Sequence, residues 1–229
     1  MSKNVKDQKA DKNIIAVEKA LSRSEQFIEK NQKLILIAVG VILLIVALFI
    51  GFTRFYLPAR EKSARAEMFM AENYFEKDSL SLALKGDGLH LGFLDIISDF
   101  KYTKSANLAR YYAGITHLHL GQYEDAIKHL VKFKKRDQML GAMAYGAIGD
   151  AYVELENISK GLEYYEKAYK FKPNEFTTPI FLFKAGMLNE INGNLKKALE
   201  LYQKIKDDYE NSNEGRNIDR YIARVSARL

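Results

Sequence analysis

The chain has 229 residues, 48% hydrophobic and 28% charged, with three prolines, no cysteine, no tryptophan and a formal net charge of +6. That is the composition of an ordered chain, not of a low-complexity tail. The absence of thiols excludes disulfide scaffolds, cysteine nucleophiles, thiolate metal sites and lipidated cysteines, and it leaves the redox compartment open.

Residues 1–33 form a tail with eight Lys/Arg and five Asp/Glu. Within it Ile14, Val17, Leu21 and Ile28, with Phe27 adjacent, recur at helical spacing. This predicts a short amphipathic helix that lies on lipid head groups, docks on a partner or frays with neither. From Leu34 to Phe52 the sequence reads LILIAVGVILLIVALFIGF, nineteen residues without a charge. As a helix it would span roughly 28 Å, close to the ~30 Å hydrocarbon core of a bilayer. A cleavable signal would be shorter and end in a small-x-small site, and the core helix of a soluble protein rarely lacks any polar face. A single uncleaved transmembrane helix is therefore expected at 34–52, with Phe52, Phe55 and Tyr56 as its aromatic belt.

Residues 53–65 then read as a basic juxtamembrane linker, with Arg54, Arg60, Lys62 and Arg65 against Glu61. Beyond it, residues 66–229 carry 23 charges of each sign, so the whole positive excess flanks the apolar stretch. Cations placed there meet anionic head groups, whereas a nucleic-acid binder would carry them on the folded domain; no nucleic-acid partner is expected. Charges close to the span balance, and Lys3, Lys6, Lys9 and Lys12 tip the orientation toward a cytoplasmic N-terminus and an exported C-terminal domain.

The C-terminal part repeats itself every 35 to 37 residues. Its clearest unit is AMAYGAIGDAYVELENISKGLEYYEKAYKFKPNE, residues 142–175. Against the tetratricopeptide pattern of about 34 residues, W-x2-L-G-x2-Y followed by A, F, A and P, it places Tyr145, Ile148, Gly149, Tyr152, Gly161, Tyr165, Ala168 and Pro173 at the signature positions. The unit at about 107–138 keeps Gly114, Gly121, Ala126 and Leu130; the unit at 179–212 keeps Leu182, Gly186, Gly193, Ala198, Tyr202 and Ile205, with Thr178 and Pro179 read as its N-cap and first helical residue. A degenerate first pair is expected at 66–104, from Ala66–Lys77 and Leu91–Phe100 with a wide connection at 78–90. Residues 217–229 read as a capping helix whose Arg220, Arg224 and Arg228 form a solvated stripe. The chain thus resembles tetratricopeptide proteins, and the fold expected is all-α: one N-terminal transmembrane helix followed by a helix-turn-helix solenoid.

No catalytic, cofactor-binding or metal-ligating residue emerges. His117 and His119 stand two apart and cannot form an i, i+4 pair, the Gly86-Asp87-Gly88 run lacks the residues of a phosphate or calcium loop, and Asp207 with Asp208 reads as a solvated face. In tetratricopeptide arrays the first helix of each pair lines a concave surface. Here the candidate partner groove comprises Leu108, Tyr111, Ile115, Leu118, Met143, Val153, Ile180, Phe183, Met187 and Ile191. Mostly apolar and rich in methionine, it suits an amphipathic or unfolded segment, unless the 78–90 connection or the last helix fills it. Ile115→Asp and Phe183→Asp are expected to abolish partner capture without unfolding the array.

Together the charged tail, the lead-in Phe27, Glu29, Lys30, Asn31 and Lys33, the single span and the repeats resemble the YfgM-like ancillary subunits of the bacterial SecYEG translocon. The resemblance implies a single-pass bacterial inner-membrane protein, N-terminus cytoplasmic and repeat domain periplasmic. It also implies partners in the SecYEG-type translocon, a membrane-anchored periplasmic folding factor and exported polypeptides, and no cofactor. An envelope-assembly or cell-wall adaptor, or a cytosolic receptor of inverted topology, has the same architecture.

Overall fold

A computed structural model describes residues 3–229, with side chains for Glu25 and for residues 27–229. The chain divides into two compact units, one ending at Pro58 and the other spanning Ala59–Leu229.

The first unit contains α1 (Lys3–Gly51) and a π-helical turn at Phe52–Tyr56. Phe27–Glu76 is helical and contains a window long and apolar enough to cross a membrane, none of which is buried. The face expected for Ile14, Val17 and Leu21 lies outside the described side chains, while Phe27 and Ile28 are exposed. The π turn has a local cause. Pro58 lacks an N–H and its ring cannot tolerate a normally placed carbonyl four residues back, so the turn widens and the Leu57 amide donates to the Phe52 carbonyl. Thr53 Oγ1 donates to the Phe49 carbonyl at 2.8 Å, and the Phe52 and Tyr56 rings stack 5.3 Å apart.

The second unit is built from α2 (Leu57–Glu76), α3 (Leu80–Lys85), α4 (Phe93–Asp99), α5 (Lys104–His119), α6 (Tyr123–Lys132), α7 (Gln138–Glu154), α8 (Ile158–Lys170), α9 (Thr177–Ile191), α10 (Leu195–Asp208) and α11 (Ile218–Ser226). Pairing follows from two kinds of sequence. α7 and α9 are apolar or small nearly all round and are buried between neighbours. α6, α8 and α10 are amphipathic and turn Lys and Glu outward, where Lys167 to Glu163 and Lys170 to Glu166, both 2.5 Å, are solvent-screened surface pairs that add little to stability.

One residue per unit fixes the register. Asp78, Gly121, Glu156 and Gly193 have positive φ, at intervals of 43, 35 and 37 residues. Each follows the end of a first helix and closes it with the same pair of amide bonds, such as Asn157 N to the Tyr152 carbonyl and Asn194 N to the Asn189 carbonyl, both 2.8 Å. Seven residues before each stands a small residue, Ala71, Gly114, Gly149 or Gly186, and five after each stands another, Ala83, Ala126, Gly161 or Ala198. All eight are buried. A Cβ on Gly114, Gly149 or Gly186 would lie 2.4, 2.6 or 2.5 Å from Leu130, Tyr165 or Tyr202, the side chain nine residues after the turn. Bare glycine there is what lets paired helices approach.

That register extends the repeats to residues the sequence reading left as a loop. α3 is the second helix of the first repeat, begun in register at Ser79, interrupted at 86–92 and resumed as α4. The interruption is a built loop. Gly86 has φ 74°, a Cβ on it would lie 2.1 Å from the His90 carbonyl oxygen, and Asp87 accepts from the Leu89 and His90 amides and the Tyr74 hydroxyl. These bonds hold the Asp87 carboxyl down at about 2, the Tyr74 hydroxyl being the largest cause. Ala83 and Leu84 are buried with Phe93, Ile96 and α2 residues Ala64, Met68 and Ala71, so α3 belongs to a core rather than to the groove.

Residues 53–65, read above as a linker, are helical. Arg60 donates to the Asp99 carbonyl and lies 4.5 Å over the Phe100 ring, and Glu61 accepts from the Lys104 amide at 2.6 Å and the Ser105 hydroxyl at 2.8 Å. One of the cations read as facing head groups, Arg60, together with Glu61 therefore holds α2 onto the α4–α5 corner. At the start of α9 the capping role also differs: Asn174 Oδ1 accepts from the Phe176 and Thr177 amides, while Thr178 sits inside the first turn and accepts from Asn174 N.

Candidate functional site

The exposed edge of the first helices carries the groove residues. Leu108 packs into the first core beside Ala106 and Ala109. Tyr111, Ile115 and Leu118 pack against Phe133 of their own repeat and Ala144, Ala147 and Ile148 of the next, and Val153, Ile180 and Phe183 against the core of the last two. Met143 and Met187, each 37% exposed, and Ile191, 77% exposed, remain open. Ile115 and Phe183 are thus partly consumed in stacking one repeat on the next, and aspartate at either would disturb the array itself.

Between the open methionines the surface is polar. Lys184 Nζ lies 2.7 and 2.8 Å from the two Asp150 oxygens, and the Tyr165 hydroxyl donates to Asp150 Oδ1 at 2.6 Å. Burial, with the Asp150 charge second, pushes the Tyr165 hydroxyl upward and keeps it a donor. Adjacent repeats are in this way tied together, α7 to α9, by an ion pair that the apolar pattern did not announce. Asp150 stands 34 residues from Lys184, with no local signal joining them.

At the last repeat α11 packs on α10 and over Phe183. Tyr221 meets Phe183 edge-on with centroids 4.7 Å apart, and Ile218 and Val225 are fully buried against α10. The arginines read as a solvated stripe are exposed, yet two of them are also ion-paired. Arg224 Nε and Nη2 donate to the two Glu190 oxygens at 2.9 and 2.8 Å, and Arg228 Nη1 adds a third bond at 2.9 Å. Glu190, 6% exposed, also accepts from the Tyr202 hydroxyl at 3.1 Å. Spacing of four shows that two side chains share a face, not whether a buried carboxylate lies beside them, so the stripe is solvated and its pairing with Glu190 is what the sequence did not show. Arg220 instead lies over the Tyr221 ring at 4.8 Å.

The histidines are structural. His117 Nδ1 is 2.6 Å from Gln122 Oε1, its ring stacks on His129 at 5.3 Å, and His119 stacks on Phe75. Burial first, and the neighbouring His117 second, lowers His129 from 6.5 to about 4. As pH falls below about 6.5 the unfolded chain takes up a proton that the folded chain refuses until about pH 4, so stability falls across that window. Because the ring is partly solvated, we expect a loss of about 1–2 kcal/mol, read as a falling melting temperature and flattened by His129→Gln. An equal acid response in the variant would assign the sensitivity elsewhere. Among the described residues, no group of three His, Cys, Asp or Glu is placed to hold a metal.

In-register helical pairs stacked through small residues define an all-α helical-repeat array. A tetratricopeptide-repeat family model matches residues 181–212, which cover most of α9 and all of α10. No curated protein matches the chain.

Proposed function

We propose that the chain is a membrane-anchored interaction scaffold, an accessory subunit of the bacterial Sec translocon that assists exported polypeptides or recruits a membrane-anchored periplasmic folding factor. The observation that carries the scaffold reading is a repeat array whose concave edge leaves Met143, Met187 and Ile191 open while its floor is fixed by Asp150 and Lys184. Methionine repacks around varied shapes, which suits segments of differing sequence. The translocon assignment is supported by the lead-in Phe27, Glu29, Lys30, Asn31 and Lys33 and by the apolar window beside it. In this reading the N-terminus is cytoplasmic and the repeat unit periplasmic.

Two measurements test it. A tag after Leu229 is expected to be lost to protease in intact spheroplasts; protection would invert the topology and favour a cytosolic receptor. A photocrosslinker at Leu43 or Ile45 is expected to capture a secretion-channel subunit, and neighbours drawn only from envelope-assembly machinery would favour an adaptor there. For the groove, Met143→Asp with Ile191→Asp is expected to reduce client crosslinking about tenfold with helicity unchanged, the loss expected when two apolar contacts are replaced by charges. Unaltered crosslinking would move the partner surface elsewhere.

A further inference from the structure

Where α4 meets α5 and α6 meets α7, a cleft of about 700 Å³ is lined by Lys101, Lys104, Arg110, Lys132, Lys134 and Arg136 and by no carboxylate. All but Arg110 are exposed. Among the described residues none of the six is in a salt bridge: the ion pairs involve other cations, and Arg110 donates only to the Ala106 carbonyl. Residues 66–229 carry equal numbers of each sign, so six cations converging on one cleft are a segregation of charge within a neutral domain. Like charges held this close repel one another, and an anion relieves that repulsion. The cleft is rigidly framed, because Asn107 bonds both the amide and the carbonyl of Lys134 and Glu61 is occupied with the start of α5. Exposed Tyr102 on its rim has the amphipathic ring favoured at head-group depth.

We infer that this cleft binds the phosphates of anionic lipid head groups, so that the repeat unit lies down on the bilayer that anchors it. The inference rests on the anchoring reading proposed above. Two observations favour lipid over an acidic protein segment. Glu61, which grips the Lys104 amide, is only nine residues from Phe52, at most about 30 Å of chain. That tether presents membrane surface to the cleft at an effective concentration that a soluble partner does not reach. Four of the six cations are lysines, point charges that suit mobile phosphates better than one shaped carboxylate.

The chain has no cysteine, so Ser98→Cys, three residues ahead of Lys101 and exposed, gives a single labelling site. The full chain carrying a fluorophore there is reconstituted into nanodiscs containing a head-group nitroxide lipid, in phosphatidylcholine alone or with phosphatidylglycerol. Quenching is expected to be about twofold stronger with the anionic lipid and to fall to the phosphatidylcholine level at high salt. Lys104→Glu, Lys132→Glu and Lys134→Glu together should have the same effect, and the corresponding Gln set serves if reversal disturbs helicity. Equal quenching in both lipids overturns the inference. So does loss of the lipid response to inorganic phosphate at constant ionic strength, which would make this a free-anion site. A response to soluble polyglutamate without one to lipid overturns it in favour of an acidic protein partner. Failure of the chain to co-elute with the discs would instead sink the anchoring reading beneath it.

Discussion

Gly146→Val is expected to destabilise the array by about 3 kcal/mol or more and to open the contact between α7 and α9. A Cβ at 146 would lie 1.8 Å from Phe181 Cε1 and 2.1 Å from its Cζ, well inside any real contact. The ring has nowhere to retreat: Phe181 is 1% exposed and stacks on Tyr165 at 6.4 Å. Tyr165 is itself fixed through Asp150 to Lys184, so the clash would spread into the ion pair of the concave floor. Phe181→Ala alone should cost about 3–5 kcal/mol for the lost ring and its cavity. In the double variant, valine occupies part of that cavity, so the combined loss should fall well short of the sum. Urea unfolding followed by helix signal, with hydrogen exchange of the α9 amides to localise the change, would decide it. Additive losses would mean that the two side chains do not compete for one space.

Glu190→Ala is expected to release α11, at a cost of about 3 kcal/mol, because it strands the Tyr202 hydroxyl in the core and removes the shared partner of Arg224 and Arg228. α11 spans only Ile218–Ser226, too short to persist as a helix by itself. Its amides should therefore lose protection entirely, while those of α5 to α8 keep theirs, as nearest-neighbour coupling in a solenoid requires. Glu190→Gln should lose less, since one amide oxygen still accepts from Arg224. The bond from Arg224, the largest of several causes, holds the Glu190 carboxyl below its usual 4.5, so this stabilisation is complete above that value and disappears as pH falls through the depressed one. Persistent α11 protection in the alanine variant would show that Tyr221, Ile218 and Val225 hold the helix by packing alone.

Losing α11 would also uncover Phe183, so the same variant reports on the groove. If clients bind better after Glu190→Ala, α11 competes with them for the last unit.

The apolar helix and the middle repeat were legible from residue order alone. Nineteen uncharged residues admit few solutions, and Gly149, Tyr165 and Ala168 fall at offsets that one helical pair requires. These are local constraints, set by the period of a helix and the width of a glycine. The first unit was harder to read because its marker is Asp78, not glycine, and because an inserted loop displaces its second helix. Only the coordinates show that Ala71, Asp78 and Ala83 keep the offsets of the other three units.

What the sequence could not determine depends on pairs distant along the chain. Arg60 reads as a membrane-facing cation until Phe100 and the Asp99 carbonyl are brought beneath it, and Arg224, though exposed, reads as unpaired until Glu190 appears opposite. A charge has the same local pattern whether it faces water or a buried partner; its environment, and hence its role, is decided by which other helix packs against it. The same holds for the groove. The resemblance to tetratricopeptide arrays put its ten residues on one face, and tertiary packing divided them into those that pack into the cores of the array and three, Met143, Met187 and Ile191, that remain exposed.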